Sequence, residues 1–339
     1  MRTIRSKAPL RIGLAGGGTD LDVYANIFGG YVLNATISLY VHCNIEENNS
    51  NKIIFESMDL NDSTELNIQK TLTLDGHMDL YKATYNYIVR EYNLELKGFI
   101  LKTYSDVPSG SGLGGSSTLI VSMIKCYAEW LNLPLGEYDI AKIAFEIERE
   151  EIGIVGGAQD QYAATFGGFN FMEFYEQKRV VVNPLRVKNW IIDELESSMI
   201  LYFTGIQRGA SQIEEEKKSL IEKKESINAM HEVKKDAVLM KDFLLKGDIE
   251  NFAKILDKAW IHKKKVSKKI SNKEIDRLYD LAISNGAYSG KVSGAGGGGF
   301  MFFLVKPIDK LNLVRELDKE RGKVINFKFV KEGTKGWIV

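Results

Sequence analysis

A loop rich in glycine and serine, residues 108–118 (PSGSGLGGSST), runs directly into the apolar stretch that begins at Leu119. This order predicts a helix N-terminus, where unpaired backbone N–H groups and the positive end of the helix dipole lie together. Glycines let the backbone approach a bulky anion without steric clashes. The segment therefore predicts a phosphate-binding loop, and the alternative is a flexible loop that ends in Ser/Thr helix caps.

The loop contains no lysine, and the chain has no GxxxxGK[ST] run of the P-loop type. Phosphate binding by this loop would therefore rest on backbone amides, hydroxyls and a metal ion. A nucleotide, ATP in the first instance, is the expected ligand. The candidate ATP-binding residues are Pro108, Ser109, Gly110, Ser111, Gly112, Leu113, Gly114, Gly115, Ser116 and Ser117.

Length and charge limit the remaining function classes. The 339 residues predict about two domains, and 44% apolar content is typical of a soluble globular chain. Lys plus Arg equals Asp plus Glu, at 45 each, so no charge excess favours nucleic acid or membrane as a partner. The basic first eleven residues leave no room for a signal segment, and a cytoplasmic location is expected. Cys43 and Cys126 lack metal-ligand spacing and are expected to be reduced core residues.

Helix and strand patterns alternate along the chain, which predicts an α/β or α+β fold. Composition changes near residues 184–196, so we expect an N-terminal domain over 1–185 and a C-terminal domain over 186–339. A charged stretch over 210–246 predicts a solvated helix pair with contacts such as Glu214–Lys218, and a partner-binding surface is the alternative. Strands are expected over 10–15, 31–45, 52–55, 99–104, 167–171, 201–204, 300–305 and 323–330, and helices over 78–92, 118–131, 139–151 and 273–284.

Two acidic residues near the middle of the chain suit phosphoryl transfer. Such a reaction needs Mg²⁺ to neutralise the phosphates and a carboxylate to align or deprotonate the acceptor hydroxyl. Glu148 and Ser116 would share the metal with ATP oxygens, and Asp160 would face the acceptor as base. The alternatives are that Glu148 lies on a solvated helix face and that Asp160 is a helix cap or turn residue.

Arg11 and Asp20 are further candidates near the N-terminus. Arg11 lies in an apolar strand, where a buried arginine needs an anionic partner. It either pairs with Asp160 and sets the charge of that residue, or it faces solvent from an edge strand. Asp20 follows three glycines and Thr19, so it would accept hydrogen bonds from sugar hydroxyls or cap a helix.

Three glycine-rich segments together resemble the signatures of the GHMP small-molecule kinase superfamily: residues 8–20, 108–117 and 291–300. The resemblance covers essentially the whole chain. It implies an α+β fold with an N-terminal ribosomal-protein-S5-like domain, a ferredoxin-like C-terminal domain, and a site between them. It also implies ATP as co-substrate, Ser116 and Glu148 as Mg²⁺ ligands, and Asp160 with Arg11 as the catalytic pair. The third segment would brace the phosphate loop and line the substrate pocket with Gly296 and Gly297.

The sequence departs from the usual signatures at two places. Gly115 stands where the family usually has serine, and residues 16–20 read GGGTD, unlike galactokinases. The GGGTD run at residues 16–20 argues against galactose as the acceptor. Gly17, Gly18, Thr19 and Asp20 remain the expected substrate contacts.

Several segments resemble a narrower branch, the D-glycero-D-manno-heptose 7-phosphate kinases. They are residues 16–20, 204–208 and 294–299, together with Trp260, Lys263 and Lys264. The branch implies phosphorylation of the anomeric hydroxyl and a role in making nucleotide-activated heptose. A fucokinase-type kinase of a neutral sugar and a non-catalytic sensor on the same fold are the alternatives.

A phosphorylated acceptor would need cations beyond those that serve ATP. Arg208 is the first candidate, because guanidinium binds phosphate bidentately. Lys263, Lys264 and Lys7 are weaker candidates and are equally explained as solvated charges. The expected partners are a sugar phosphate and ATP, without nucleic acid or membrane, in a monomer or homodimer.

Overall fold

The structure is a computed structural model that describes residues 2–95, 97–206 and 224–339. It contains an eight-stranded sheet and a four-stranded sheet with helices packed on both, so the α+β expectation is confirmed. The strands of the larger sheet are β1 (Thr3–Ala15), β2 (Gly30–Glu47), β3 (Lys52–Ser57), β4 (Asp62–Asn67), β5 (Phe99–Ser105), β6 (Phe169–Phe174), β7 (Val180–Pro184) and β12 (Lys335–Ile338).

The larger sheet follows the order β12-β1-β2-β5-β3-β4, and β6 joins β2 and β7. The long strand β2 pairs with β6 through its first half and with β5 through its second half. All strand pairs of the larger sheet are antiparallel except the pair of β3 with β5. Because β2 is shared in this way, the sheet spreads into two branches on one side of β1.

The smaller sheet is antiparallel in the order β11-β8-β10-β9. Its strands are β8 (Met199–Phe203), β9 (Ala287–Val292), β10 (Phe300–Val305) and β11 (Lys323–Ile325). The described α-helices are α1 (Asp22–Phe28), α2 (Asp79–Glu91), α3 (Gly115–Leu131), α4 (Glu137–Phe145), α5 (Gln159–Phe166), α6 (Asn189–Ser198), α7 (Lys224–Lys246), α8 (Ile249–Val266), α9 (Lys273–Ser284) and α10 (Lys310–Leu317). A π-helix (Glu146–Glu151) follows α4, and a 3₁₀ turn (Glu176–Lys178) joins β6 to β7.

One hydrophobic core connects the two sheets. Leu10 and Leu33 of the larger sheet, Leu256 of α8 and Phe302 of the smaller sheet belong to one buried cluster. A second core lies under α2 and α3, and a third lies behind the smaller sheet. The two sheets are therefore joined by continuous hydrophobic packing and not by loops alone.

Several elements differ from the sequence-based expectations. Strands β4, β7 and β9 and helices α1, α5, α6, α8 and α10 were not expected, and the helix expected over 139–151 changes to a π-helix at Glu146. The strand expected over 323–330 ends at Ile325, and the last strand is β12. Since β12 pairs with β1, the segment after β11 returns to the first sheet and crosses the expected 185/186 division. Glu214–Lys218 lies outside the described residues.

The two cysteines agree with the sequence-based expectation that they are core residues. Cys43 and Cys126 are free and buried in the core. Within the described residues, no helix is both long enough and apolar enough to cross a bilayer.

Candidate active site

The predicted phosphate loop does lead into a helix N-terminus. Helix α3 begins at Gly115, four residues before the apolar stretch that starts at Leu119, and Gly114 precedes it with a φ of 82°. Gly110 and Gly112 also have positive φ, a conformation that glycine adopts without steric cost. The side-chain oxygen of Ser111 is buried and has no hydrogen-bond partner among the described residues. A buried orphan hydroxyl beside free helix N–H groups suits an anionic ligand.

The third glycine segment braces this loop through backbone contacts. The N–H of Phe300 donates to the carbonyl of Ser111 at 2.9 Å. A Cβ added at Gly112 would lie 2.7 Å from the carbonyl oxygen of Ser293, and one added at Gly294 would lie 2.5 Å from that of Gly112. The two loops therefore pack too closely to admit any side chain at either glycine.

We expect Gly294→Ala to destabilise the protein by about 2 to 5 kcal/mol, from the positive φ of 74° and the clash together. Chemical unfolding, with the KM for ATP measured in parallel, would test this. Gly115→Ala is the matched control, because its Cβ would meet no atom within 4 Å. Equal loss of stability in both variants would contradict the proposed bracing.

Glu148 lies at the centre of a buried hydrogen-bond network. Its side chain is 0% exposed, so it does not lie on a solvated helix face. Ser116 Oγ donates to its Oε1 at 2.7 Å, and Ser117 Oγ and Gln161 Nε2 each donate to its Oε2 at 2.6 Å. The network joins the first turn of α3 to the π-helix, so a carboxylate and two hydroxyls meet at the end of the phosphate loop.

Arg11 pairs with Asp160, as one of the sequence alternatives expected. Arg11 is 3% exposed, which rules out a solvent-facing edge position. Its Nε and Nη2 both lie on Oδ1 of Asp160, at 2.7 and 2.6 Å, and its Nη1 donates to the carbonyl of Gly112 at 2.8 Å. Oδ2 of Asp160 lies beside Gly114, 3.2 Å from the position that a Cβ there would take. The guanidinium thus fixes one carboxylate oxygen and leaves the other next to the phosphate loop.

Asp20 is buried and connects the first glycine segment to α5. Its Oδ1 accepts from the N–H of Gly18 at 2.9 Å, and its Oδ2 accepts from the N–H of Gln159 at 3.2 Å. The side-chain amide of Gln159 also lies 3.3 Å from both oxygens. The helix-cap alternative is thus partly right, because Asp20 holds the start of the helix that carries Asp160.

Arg11, Asp20 and Asp160 line one cleft between the two sheets, and Glu148 is not part of its walls. Lys263 projects into it from α8 and donates to the carbonyl of Gly294 at 2.5 Å, so the side chain is buried rather than solvated. The cleft walls are Arg11, Gly17, Gly18, Asp20, Leu21, Arg149, Gly156, Gly157, Gln159, Asp160, Met230, Lys263, Val266, Ser267, Ile270, Gly294 and Ala295. This cleft has the polar and charged lining expected of a sugar-phosphate site.

A second cavity opens on the other side of the phosphate loop. Pro108, Ser109, Gly115 and Ser116 line it together with apolar and aromatic side chains, among them Tyr81, Tyr104, Leu119 and Ile152. An apolar cavity that ends at a phosphate loop suits a nucleotide base. The loop therefore separates a candidate nucleotide cavity from the cleft that contains Asp160.

Lys291 is a buried lysine near Arg11. Its Nζ donates to the carbonyl of Leu14 at 3.1 Å. Burial, with a smaller contribution from the charge of Arg11, lowers the pKa of Lys291 to about 7. This ammonium therefore loses its proton more readily than that of an exposed lysine.

The structure corrects several of the expected contacts. Thr19 is buried, with its hydroxyl 2.8 Å from the carbonyl of Gly16, and does not line the cleft. Gly296 packs on Ile270, and the N–H of Gly297 donates to the Ile270 carbonyl. Gly294 and Ala295 line the cleft instead of these two glycines.

Other expected contacts lie away from the cleft or outside the described residues. The Leu113 side chain is buried in the core, so only its backbone can face a nucleotide. Lys264 pairs with Asp276, and Lys7 lies over the ring of Tyr40. Neither lysine lines the cleft. Arg208 lies outside the described residues.

Sequence reasoning missed Arg149, Gln159 and Gln161 as site residues. Arg149 belongs to an acidic and basic run that is typical of a solvated face, and only the π-helix turns it inward. Gln159 and Gln161 flank Asp160, and on a helix their side chains would not be expected to point to the same place. Their positions beside Asp160 were the only available signal.

Comparisons with known proteins agree with this geometry. The sequence model "GHMP kinases N terminal domain" matches residues 79–168, and "GHMP kinases C terminal" matches residues 240–323. The chain is 59% identical, over the full length of both proteins, to the D-glycero-alpha-D-manno-heptose 7-phosphate kinase of Campylobacter jejuni subsp. jejuni serotype O:2.

Solved structures give the same relationship. A crystal structure of a Campylobacter jejuni protein superposes with a TM-score of 0.85 at 57% identity, covering 100% of this chain and 99% of that one. A D-glycero-D-manno-heptose 1-phosphate kinase from Bacteroides thetaiotaomicron also has a TM-score of 0.85, at 46% identity and 98% coverage of both chains. The cleft, the phosphate loop and the acidic residues thus occur on a fold shared with sugar-phosphate kinases.

Proposed function

This chain belongs to the GHMP kinase family, and on that premise we propose that it phosphorylates D-glycero-D-manno-heptose 7-phosphate. The γ-phosphoryl group of ATP is transferred to the anomeric hydroxyl, giving heptose 1,7-bisphosphate for nucleotide-activated heptose synthesis. The protein is a phosphotransferase with an alcohol group as acceptor.

One observation carries the proposal: both acidic residues lie at the start of α3. Oδ2 of Asp160 faces Gly114, and Glu148 accepts from Ser116 two residues further along. A γ-phosphoryl group bound at this helix N-terminus would therefore meet the acceptor on the Asp160 side. An in-line transfer requires this arrangement of acceptor, phosphorus and leaving group.

The transfer follows from these positions. The anomeric oxygen of the sugar attacks the γ-phosphorus, the bond from phosphorus to the β–γ bridging oxygen breaks, and ADP leaves. Asp160 takes the hydroxyl proton on Oδ2, while Arg11 holds Oδ1 and keeps the carboxylate oriented. Backbone N–H groups of α3 stabilise the charge on the transferred group.

Mg²⁺ fits the oxygen donors at Glu148 and Ser116, because this cation prefers carboxylate and hydroxyl oxygens and takes its other ligands from substrate phosphates. Among the described residues, no cluster of three or more His, Cys, Asp or Glu could hold a metal ion. The Oε1 of Gln161, buried beside Glu148 without a partner, is a further oxygen for a bound ion or its water. The ion supplies neutralisation of the phosphate charge.

An ADP-release assay on a panel of acceptors tests the function. We expect turnover of D-glycero-D-manno-heptose 7-phosphate at least about 100-fold faster, as kcat/KM, than of the unphosphorylated heptose, fucose or mannose. Phosphorus NMR of the product should show a new anomeric phosphate. Preferred turnover of a free hexose would indicate a neutral-sugar kinase, preferred turnover of heptose 1-phosphate would move the transfer to another hydroxyl, and ATP binding without turnover would indicate a sensor.

A further inference from the structure

Arg149 lies where the acceptor cleft meets a neighbouring cavity. It follows Glu148 in the π-helix, lines the acceptor cleft and also lines the cavity beside Val155 and Gly156. Its side chain is only 12% exposed. The guanidinium is therefore a largely desolvated cation with access to the space that the acceptor would fill.

The bonds of Arg149 are long and mostly to neutral groups. Its Nε and Nη2 lie 3.3 and 3.2 Å from the carbonyl of Gly157, and its Nη1 lies 3.2 Å from that of Ile154. Its contact with Oε1 of Glu148 is 3.3 Å, and that oxygen already accepts from Ser116 at 2.7 Å. Charge-assisted bonds of arginine are normally shorter, about 2.7 to 2.9 Å, so a better anionic partner would bind here.

The other cations of the cleft have different surroundings. Arg11 is committed to Asp160 through two short contacts. Lys263 donates to the carbonyl of Gly294, and Gly294 packs on the phosphate loop. We therefore expect the ammonium of Lys263 to lie beside the transferred phosphoryl group. Among the described cleft residues, three basic side chains face two acidic ones, which favours an anionic acceptor.

Arg149 lies at the part of the cleft wall that Gly156 and Gly157 form. Its guanidinium is held by Gly157, three residues before Asp160, and a Cβ at Gly156 would lie 2.6 Å from its Cζ. The buried carboxylate of Asp20 contacts both Gly157 and Gln159, the residue before Asp160. A sugar bound on Asp20 with one end at Asp160 would thus direct its other end toward Arg149.

We propose that Arg149 binds the phosphate group that the acceptor already carries, and so selects the phosphorylated sugar over its neutral counterpart. The inference rests on the proposed heptose 7-phosphate kinase activity. Guanidinium matches two phosphate oxygens at once, which a neutral acceptor lacks. Only the backbone of residues 156 and 157 packs against the guanidinium, because both residues are glycines.

The test compares Arg149→Gln and Arg149→Lys with the unmodified protein on heptose 7-phosphate and on the same heptose without phosphate. For Arg149→Gln we expect the preference for heptose 7-phosphate over the neutral heptose, measured as the ratio of the two kcat/KM values, to fall about 10- to 100-fold. Arg149→Lys should recover part of the affinity, because the charge remains. ATP affinity, measured by calorimetry, should be unchanged in both variants.

Arg90→Gln is the matched control, because Arg90 pairs with Glu151 of the same π-helix on an exposed surface. Equal losses on both sugars, or a weakened ATP affinity, would mean that Arg149 only supports the loop, and the proposal would be overturned. Loss of phosphate selectivity in Lys263→Met but not in Arg149→Gln would overturn it as well. Inactivity of the unmodified protein on heptose 7-phosphate would instead refute the proposed function.

Discussion

Asp160→Asn should reduce kcat by about a thousand-fold, within the range of about 10² to 10⁴ that a general base contributes. An amide in this position keeps the shape of the side chain but takes no proton from the acceptor hydroxyl. ATP affinity should stay within about threefold, because Asp160 faces the acceptor cleft while the nucleotide cavity lies across the phosphate loop. Single-turnover kinetics, with calorimetric titration of ATP, would measure both quantities.

The same substitution has a cost for folding that must be separated from catalysis. It leaves the buried Arg11 guanidinium without its anionic partner, and breaking a buried pair in this way costs about 3 to 5 kcal/mol. Denaturant unfolding should therefore be run beside the kinetics, with the exposed Asp193→Asn as control. Near-normal turnover by a folded Asp160→Asn protein would contradict the role of Asp160 as base.

Glu148→Gln should lower kcat/KM for ATP by about 100- to 1000-fold and remove most of the gain in ATP affinity that Mg²⁺ provides. The amide has one acceptor oxygen in place of the two that receive bonds from Ser116, Ser117 and Gln161. It therefore offers the metal a weaker ligand, and each unpaired buried donor costs about 1 to 3 kcal/mol of stability.

Calorimetric titration of ATP with and without Mg²⁺ separates metal binding from folding. Glu150→Gln is the control, because Glu150 lies on the same π-helix but is exposed and pairs with Lys178. Its ATP affinity should depend on Mg²⁺ as in the unmodified protein. If Glu148→Gln kept the full Mg²⁺ dependence, Glu148 would be a structural residue of the network and not a metal ligand.

The glycine loops could be predicted from sequence because each has a local physical cause. Positive φ at Gly110, Gly112 and Gly114 and the contact between Gly112 and Gly294 both require glycine, so the pattern is visible in the sequence. The pairing of Arg11 with Asp160 joins residues far apart in the chain, and it was accessible only as one of two alternatives. The burial of Arg11 in the structure selects pairing with Asp160 over a solvent-facing position.

The inward side of the π-helix could not be predicted in the same way. A helix of 3.6 residues per turn places Glu151 on the face of Ile143 and Ile147, but the wider π turn changes the register after Glu146. Glu148 and Arg149 both belong to this π-helix. A charged run gives no sequence signal for this change, because it depends on what packs against the helix.

It is equally hard to predict from the sequence which residues of one glycine-rich segment line the cleft. Gly294 and Ala295 line the cleft, whereas Gly296 and Gly297 pack on Ile270. The direction of each peptide in such a loop is set by contacts with distant elements, here the segment that follows α8. The motif therefore predicts where the loop is but not which of its residues meets the ligand.

The pairing of β12 with β1 has a consequence for how the chain is made. Ile338 pairs with Ile4, so the outer edge of β1 stays unpaired until a segment more than three hundred residues later leaves the ribosome. At about 5 to 20 residues per second, that edge stays open for on the order of tens of seconds. Arg5 and Lys7 lie on it, and charged side chains discourage pairing with other nascent chains during the wait.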